Sequence, residues 1–159
     1  MAHLIEPHGG TLCDLLVHGE NRKKLQKESL NLPSFTLNDR HLCDIEMLLN
    51  GSFSPLKGFL GQADYDSVLA DNRLSDGTVW PIPITLDVSE EFSKGLNTGE
   101  KIVLRDHEGV ALGILTISEK WSPDLKVEAE QVYGSSDTTH PAVYYLLNQS
   151  GTMYLGGQI

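Results

Sequence analysis

Two apolar runs, Lys101–Arg105 and Val110–Lys120, are separated by four polar residues, Asp106-His107-Glu108-Gly109. A short loop ending in glycine between apolar runs is the strongest hairpin signal in this sequence. The loop's last residue commonly needs a positive φ, which glycine adopts at no steric cost. The hairpin commits the chain to antiparallel pairing, and further strand texture surrounds it. From Trp80 onward Ile82, Ile84, Leu86 and Val88 alternate with Pro83, Thr85 and Asp87, a period of two. Pro81 and Pro83 cannot donate ladder hydrogen bonds, so the start of that strand is an edge or lies outside the sheet. Thr152–Leu155 reads as a last strand that Gly156-Gly157 breaks. Ile84, Leu86, Val103, Leu112, Ile114, Leu115 and Leu146 form the expected core.

Helical spacing appears elsewhere. Thr36 is the expected N-cap of a helix in which Leu42, Ile45, Leu48 and Leu49 recur at helical intervals before Gly51 stops it. Gln62–Asn72 puts Tyr65, Val68 and Leu69 on one face. Ser89 caps a short run, EEFSKGL, and Asp124–Val132 is amphipathic. His140-Pro141 opens a helix that runs to Asn148. Residues 1–10 read as extended chain turning at Gly9-Gly10, and Thr11–His18 suits a short helix or a strand equally. The following residues, to Leu32-Pro33, read as loop. About five strands with four or five short helices, in no βαβ repeat, predict a single α+β domain over residues 1–159.

Composition narrows the function. Twelve basic residues against 22 acidic ones give a formal charge of −10. Nucleic-acid affinity comes largely from cations neutralising phosphates, so this balance argues against a nucleic-acid partner. The basic cluster Arg22, Lys23, Lys24 and Lys27 reads as solvated loop, with an anion contact as the sharper alternative. No apolar run approaches the length of a membrane span, and the amino terminus lacks a secretory pattern. Cys13 and Cys43 stand alone, as expected of reduced thiols in a cytoplasmic protein. His41, Asp44 and Glu46 cluster in sequence, but on a helix Glu46 points far around from Asp44, so they read as polar surface and not as metal ligands. Arg40 and Asp44 are spaced for a helix ion pair, with a contact to another domain as the alternative for Arg40. Ser54-Pro55-Leu56-Lys57 matches an acylating-serine pattern without its companion motifs, and reads as a turn anchored by Phe53 and Phe59. The chain carries no phosphate-binding loop. No catalytic, cofactor-binding or metal-binding residue is therefore expected.

The segment from Asn50 to Val88, with Phe53-Ser54-Pro55-Leu56, Phe59, Arg73-Leu74 and Trp80-Pro81-Ile82-Pro83-Ile84, resembles the N-terminal domain of ATP sulfurylase (sulfate adenylyltransferase). The likeness continues through Pro7-His8-Gly9-Gly10 with Leu15-Leu16, and through Leu37, Arg40, Asp44 and Glu46. Gly99–Arg105 with Asp106, Glu108 and Gly109 is similar to that family's central hairpin, and Trp121, Asp124, Glu128-Ala129 and Val132 to its next helix. Tyr133-Gly134, Asp137, His140-Pro141, Val143 and Tyr145-Leu146-Leu147 follow, then Tyr154-Leu155-Gly156-Gly157. Ser135 departs from the usual threonine and keeps its hydroxyl.

This resemblance implies a PUA-like fold, a small β pseudo-barrel decorated with helices. It also implies a non-catalytic role: packing against a catalytic domain, in cis or in trans, that begins where this chain stops. In the family that domain carries a Gln-x-Arg-Asn-x-x-His-x-x-His run, binds Mg-ATP and makes adenosine 5'-phosphosulfate and pyrophosphate from ATP and sulfate. This chain lacks the run, so alone it is expected to be inactive. A domain cut from its partner should expose an apolar patch, for which Phe53, Leu56, Phe59 and Tyr154, with Arg40, are the candidate interface residues. Two other readings stand beside this one, an independent PUA-like RNA-binding module and a stand-alone scaffold or small-ligand protein. The net charge speaks against the first.

Overall fold

The computed structural model describes residues 4–159. Met1, Ala2 and His3, the first three residues of the expected extended stretch, lie outside the described residues. The chain falls into two compact units, each discontinuous in sequence. The first comprises residues up to Phe59, Gly99–Ile117 and Gly157–Ile159; the second comprises Leu60–Thr98 and Ser118–Gly156.

In the first unit a single 3-10 turn at His8–Gly10 precedes an irregular stretch, and then α1 spans Gly19–Ser29. The sequence reads this region as loop. The helix escapes notice because it is polar on nearly every side: only Ser29 is buried, and an exposed Lys23–Glu20 ion pair one turn apart (2.7 Å) braces it. Thr11–His18 takes neither of its two expected forms. It is held instead by the Leu15 amide donating to Leu49 O and the Cys13 amide donating to Ser54 Oγ.

A three-residue strand, β1 (Ser34–Thr36), pairs in parallel with β4 (Lys101–Arg105), matching Ser34 to Val103. Thr36 is thus a strand residue. The cap of α2 (Asp39–Leu49) is Asn38, whose side-chain oxygen accepts from the His41 amide at 2.9 Å. The inner face of α2 carries His41, Ile45 and Leu48, spaced four and three residues apart. His41 is therefore core and not polar surface. Its ring lies 6.0 Å from that of Phe35, centroid to centroid.

The hairpin forms where expected, as β4 against β5 (Ala111–Trp121), with Lys101 opposite Thr116. Gly109 has φ +85° and closes the turn, its amide donating to Asp106 O. Of the expected core residues, Val103 and Leu115 are fully buried, whereas Leu112 and Ile114 are only half-buried. Ile117, two residues beyond Leu115 on the same face, takes the interior place.

Gly58 and Phe59 form β2, antiparallel to Gln158 and Gly157 at the end of β6 (Met153–Gln158). That last strand runs through both glycines instead of breaking at them. The reason is close backbone approach: a side chain at Gly157 would collide with Thr116 O, and one at Gly58 would collide with Gly157 O.

The second unit opens with α3 (Gln62–Asp71), which ends at Asn72 in the left-handed conformation. Residues from Trp80 stay irregular until β3 (Leu86–Val88), so the proline-containing start lies outside the sheet, as its missing donors require. β3 pairs antiparallel with β6, Leu86 opposite Leu155. Ser89 caps α4 (Glu90–Lys94) through its Oγ, and the Lys120 ammonium donates to Ser93 O and Leu96 O near its C-terminal end. Asp124 caps α5 (Leu125–Tyr133), and His140 precedes Pro141 at the start of α6 (Pro141–Asn148). Ala129 of α5 packs against Val143 and Leu146 of α6.

Ile117→Ala is expected to cost about 2–4 kcal/mol, and Ile114→Ala clearly less, in urea denaturation. Equal losses would show that the facing of β5 is misassigned. Gly109→Val should destabilise more than Glu108→Ala, because only the glycine position demands a positive φ.

Candidate functional site

Three of the five sequence-predicted interface residues are buried. Leu56 (7% exposed), Phe59 (3%) and Tyr154 (1%) are interior residues, which removes them from any exposed apolar patch. Their burial has local causes. The turn Gly51–Pro55 is tied down by Ser54, whose hydroxyl donates to Gly51 O and accepts from the Cys13 amide, and this carries Leu56 inward. Phe59 is held by the pairing of β2 with β6. Phe53 is half-buried. Arg40 is partly exposed and bonds Asp44 at 2.8 Å, the spacing the helix reading anticipated. Ser54 is a buried structural hydroxyl within the turn. No group of three or more His, Cys, Asp or Glu residues among the described residues is arranged to hold a metal ion.

Tyr154 belongs instead to a buried polar cluster within the second unit. The Glu128 carboxyl, 5% exposed, accepts hydrogen bonds from Tyr65 OH and Tyr154 OH, both at 2.8 Å and both to Oε2. Trp121 completes the group, 5.6 Å from the Tyr65 ring and edge-on to Tyr154 at 5.8 Å. Its indole N–H is buried and has no hydrogen-bond partner among the described residues. Burial, followed by the adjacent Glu128 carboxylate, pushes both phenols well above their ordinary range. The arrangement positions no nucleophile. It holds an acid among aromatic rings, and its chemistry is that of a structural tie.

Sequence reasoning missed this cluster, although one signal was available. Leu125, Glu128, Ala129 and Val132 share a face of α5, so an acid sits in the apolar stripe. A carboxylate at such a position requires donors from a neighbouring element.

Comparison with known proteins decides the family. The PUA-like domain model matches residues 5–159, almost the whole chain. The chain belongs to the PUA-like domain family. The same residues are 48% identical to the sulfate adenylyltransferase of Eremothecium gossypii over 157 residues, covering 98% of this chain but 31% of that relative. The Saccharomyces cerevisiae sulfate adenylyltransferase is 43% identical over 156 residues, with 96% and 30% covered. The chain thus spans about a third of the length of these relatives. Among solved structures, the hexameric APS kinase from Thiobacillus denitrificans superposes with a TM-score of 0.69 at 43% identity, covering 76% of this chain and 24% of that one.

Within this PUA-like chain several exposed large apolar side chains lie close together in sequence, away from the expected residues. Leu4 (91%), Ile5 (96%), Leu12, Leu16 and Val17 all fall in the irregular segment before α1. No helix of the described residues is long and apolar enough to cross a membrane.

Glu128→Ala should cost about 2–4 kcal/mol, since two buried phenols lose their acceptor. Glu128→Gln retains a carbonyl acceptor and should cost less. Equal losses in urea would deny the hydrogen bonds their role. Tyr65 and Tyr154 have folded-state values raised above the ordinary phenol value near 10, so the proton is held more tightly when folded. Their contribution is complete below pH 10 and is lost as pH rises beyond it. An ultraviolet titration should find two of the five tyrosines silent until the protein unfolds in alkali. Ionisation of all five with native circular dichroism intact would overturn the assignment.

Proposed function

We propose that this chain is the N-terminal, non-catalytic portion of a sulfate adenylyltransferase, and that it packs against and supports the catalytic remainder. The observation that carries the reading is the pattern of coverage: 98% of the chain aligns at 48% identity with only 31% of a sulfate adenylyltransferase. The whole enzyme joins ATP and sulfate, forming adenosine 5'-phosphosulfate and releasing pyrophosphate, in cytoplasmic sulfate assimilation. The remainder binds Mg-ATP and performs the chemistry.

Electrostatics support this division. Nucleotidyl transfer between two anions needs several cations and donors converging on the polyphosphate. This chain has 12 basic residues against 22 acidic ones. Of its four arginines, Arg40 is engaged by Asp44, and Arg73 donates to Gly77 O. On this reading the surface for the remainder includes Leu4, Ile5, Leu12, Leu16 and Val17, each an exposed apolar side chain of the kind that protein contacts use.

Two measurements test the proposal. The purified chain should release no pyrophosphate above background from ATP and sulfate, with or without magnesium. Mixed with the separately produced remainder of a close relative at tens of micromolar, it should co-elute on size exclusion. Leu16→Asp should weaken that co-elution while shifting stability by no more than about 0.5 kcal/mol, as expected of an exposed position. Sulfate-dependent pyrophosphate release by the chain alone would sink the non-catalytic assignment.

A further inference from the structure

We propose that a groove in the first unit, between α1 and the β4–β5 turn, binds a phosphomonoester dianion carried on a small apolar body. The proposal is independent of the sulfate adenylyltransferase reading. The groove is shallow and open to solvent, with a volume of about 440 Å³. Lys23, Lys27 and Arg105 line it together with Leu30 and Ala111.

Arg105 is the anchor. Its Nε donates to Ser34 Oγ at 3.1 Å, Nη1 to Gly109 O at 2.8 Å and Nη2 to Ser29 O at 3.2 Å. Three neutral acceptors from three separate segments fix the guanidinium plane without cancelling its charge. A guanidinium carries five N–H donors, so one on each terminal nitrogen is left for a ligand. Each can donate to an oxygen of a phosphate.

The lysines complete the charge. Lys27 makes no ion pair among the described residues. Lys23 is paired with Glu20, but both side chains are largely exposed, and such a pair exchanges readily for a more highly charged anion. The nearby Glu28 is engaged by Lys101 at 2.7 Å and does not neutralise the groove. Three cations therefore face one groove on a chain of net charge −10. Their number favours a dianion over a monoanion. Leu30, 77% exposed on the lip, and Ala111 give an apolar body something to cover.

The test is an NMR titration of the ¹⁵N-labelled full chain with phenyl phosphate, inorganic phosphate and phenyl sulfate. Saturable shifts should appear at residues 23–30 and 105–111 and at Arg105 Nε. Phenyl phosphate should bind about five-fold or more tighter than inorganic phosphate, because it covers Leu30. Phenyl sulfate, a monoanion, should bind more weakly than phenyl phosphate. Lys27→Gln, at an exposed site that leaves the fold intact, should weaken phenyl phosphate about five-fold, and Arg105→Lys should weaken it further by losing the guanidinium's spare donors. The proposal is overturned by shifts spread over lysines outside the groove or by no saturation below roughly 20 mM. Unchanged affinity in Lys27→Gln also overturns it, as does an acidic leucine-containing peptide that outcompetes phenyl phosphate.

Discussion

A carboxylate withdrawn from water must recover its hydrogen bonds from the protein, and Glu128 recovers two of them from phenols on different elements. Tyr65 stands on α3, Glu128 on α5, Tyr154 on β6 and Trp121 at the end of β5. Each hydrogen bond has a narrow geometry, so the two together fix the rotation of α5 about its axis and the height of α3 beside it. Apolar packing alone tolerates slippage of such short helices; a shared acceptor does not. Leu69 and Leu125 then close around the rings. The remaining contacts of α5, made by Ala129 with Val143 and Leu146, follow once that rotation is set.

The first unit is organised by the opposite means, the absence of side chains. Gly58 faces Gly157, and Gly157 lies so near Thr116 that a methyl group would strike its carbonyl. Backbones at that distance exchange a packed side chain for direct main-chain pairing, and the final residue continues the pattern, with the Ile159 amide donating to Lys57 O. Gly51, at φ +81°, does similar duty for the turn beneath Cys13, where a side chain would strike Leu12 and the Cys13 carbonyl. A pair of consecutive glycines reads as a strand breaker when its neighbours are unknown. It becomes a strand requirement once another backbone occupies the space.

That contrast explains what was legible in the sequence. The β4–β5 hairpin, the helices with an apolar face and the cap Ser89 were legible, because their causes lie within a few residues of one another. β1 was not, since its partner β4 comes much later in the chain and three residues carry no period. α1 was not, since a helix polar on nearly all sides leaves no stripe. His41 was read as surface because a polar side chain normally is, yet its place one turn before Ile45 puts it inside. The interface list took in buried residues for a more general reason. Hydrophobicity has the same sign for a residue that packs in its own core and for one that packs on a partner, so Leu56, Phe59 and Tyr154 could not be distinguished from docking residues by pattern alone.

The same reasoning bears on how the chain would serve a larger protein on the proposed reading. Within each unit the strands and amphipathic helices spend their apolar side chains on the interior, as Ile102, Leu104, Leu115 and Ile117 do in the first and Leu86 and Leu155 in the second. Among the exposed large apolar residues, Leu4, Ile5, Leu12, Leu16 and Val17 lie in irregular backbone before α1, whereas Met47, Val79, Ile82, Val127 and Tyr144 are spread over other elements. A segment without its own ladder of hydrogen bonds can adjust its path to a partner at little cost to the core behind it. A docking surface of that kind separates two demands that otherwise compete: the interior stays close-packed and insensitive to the partner, while the contact residues vary with it. On the proposed reading, substitutions in the core would act on the remainder of the enzyme only through loss of folding. Substitutions before α1 would act on the association itself and leave the folded chain intact.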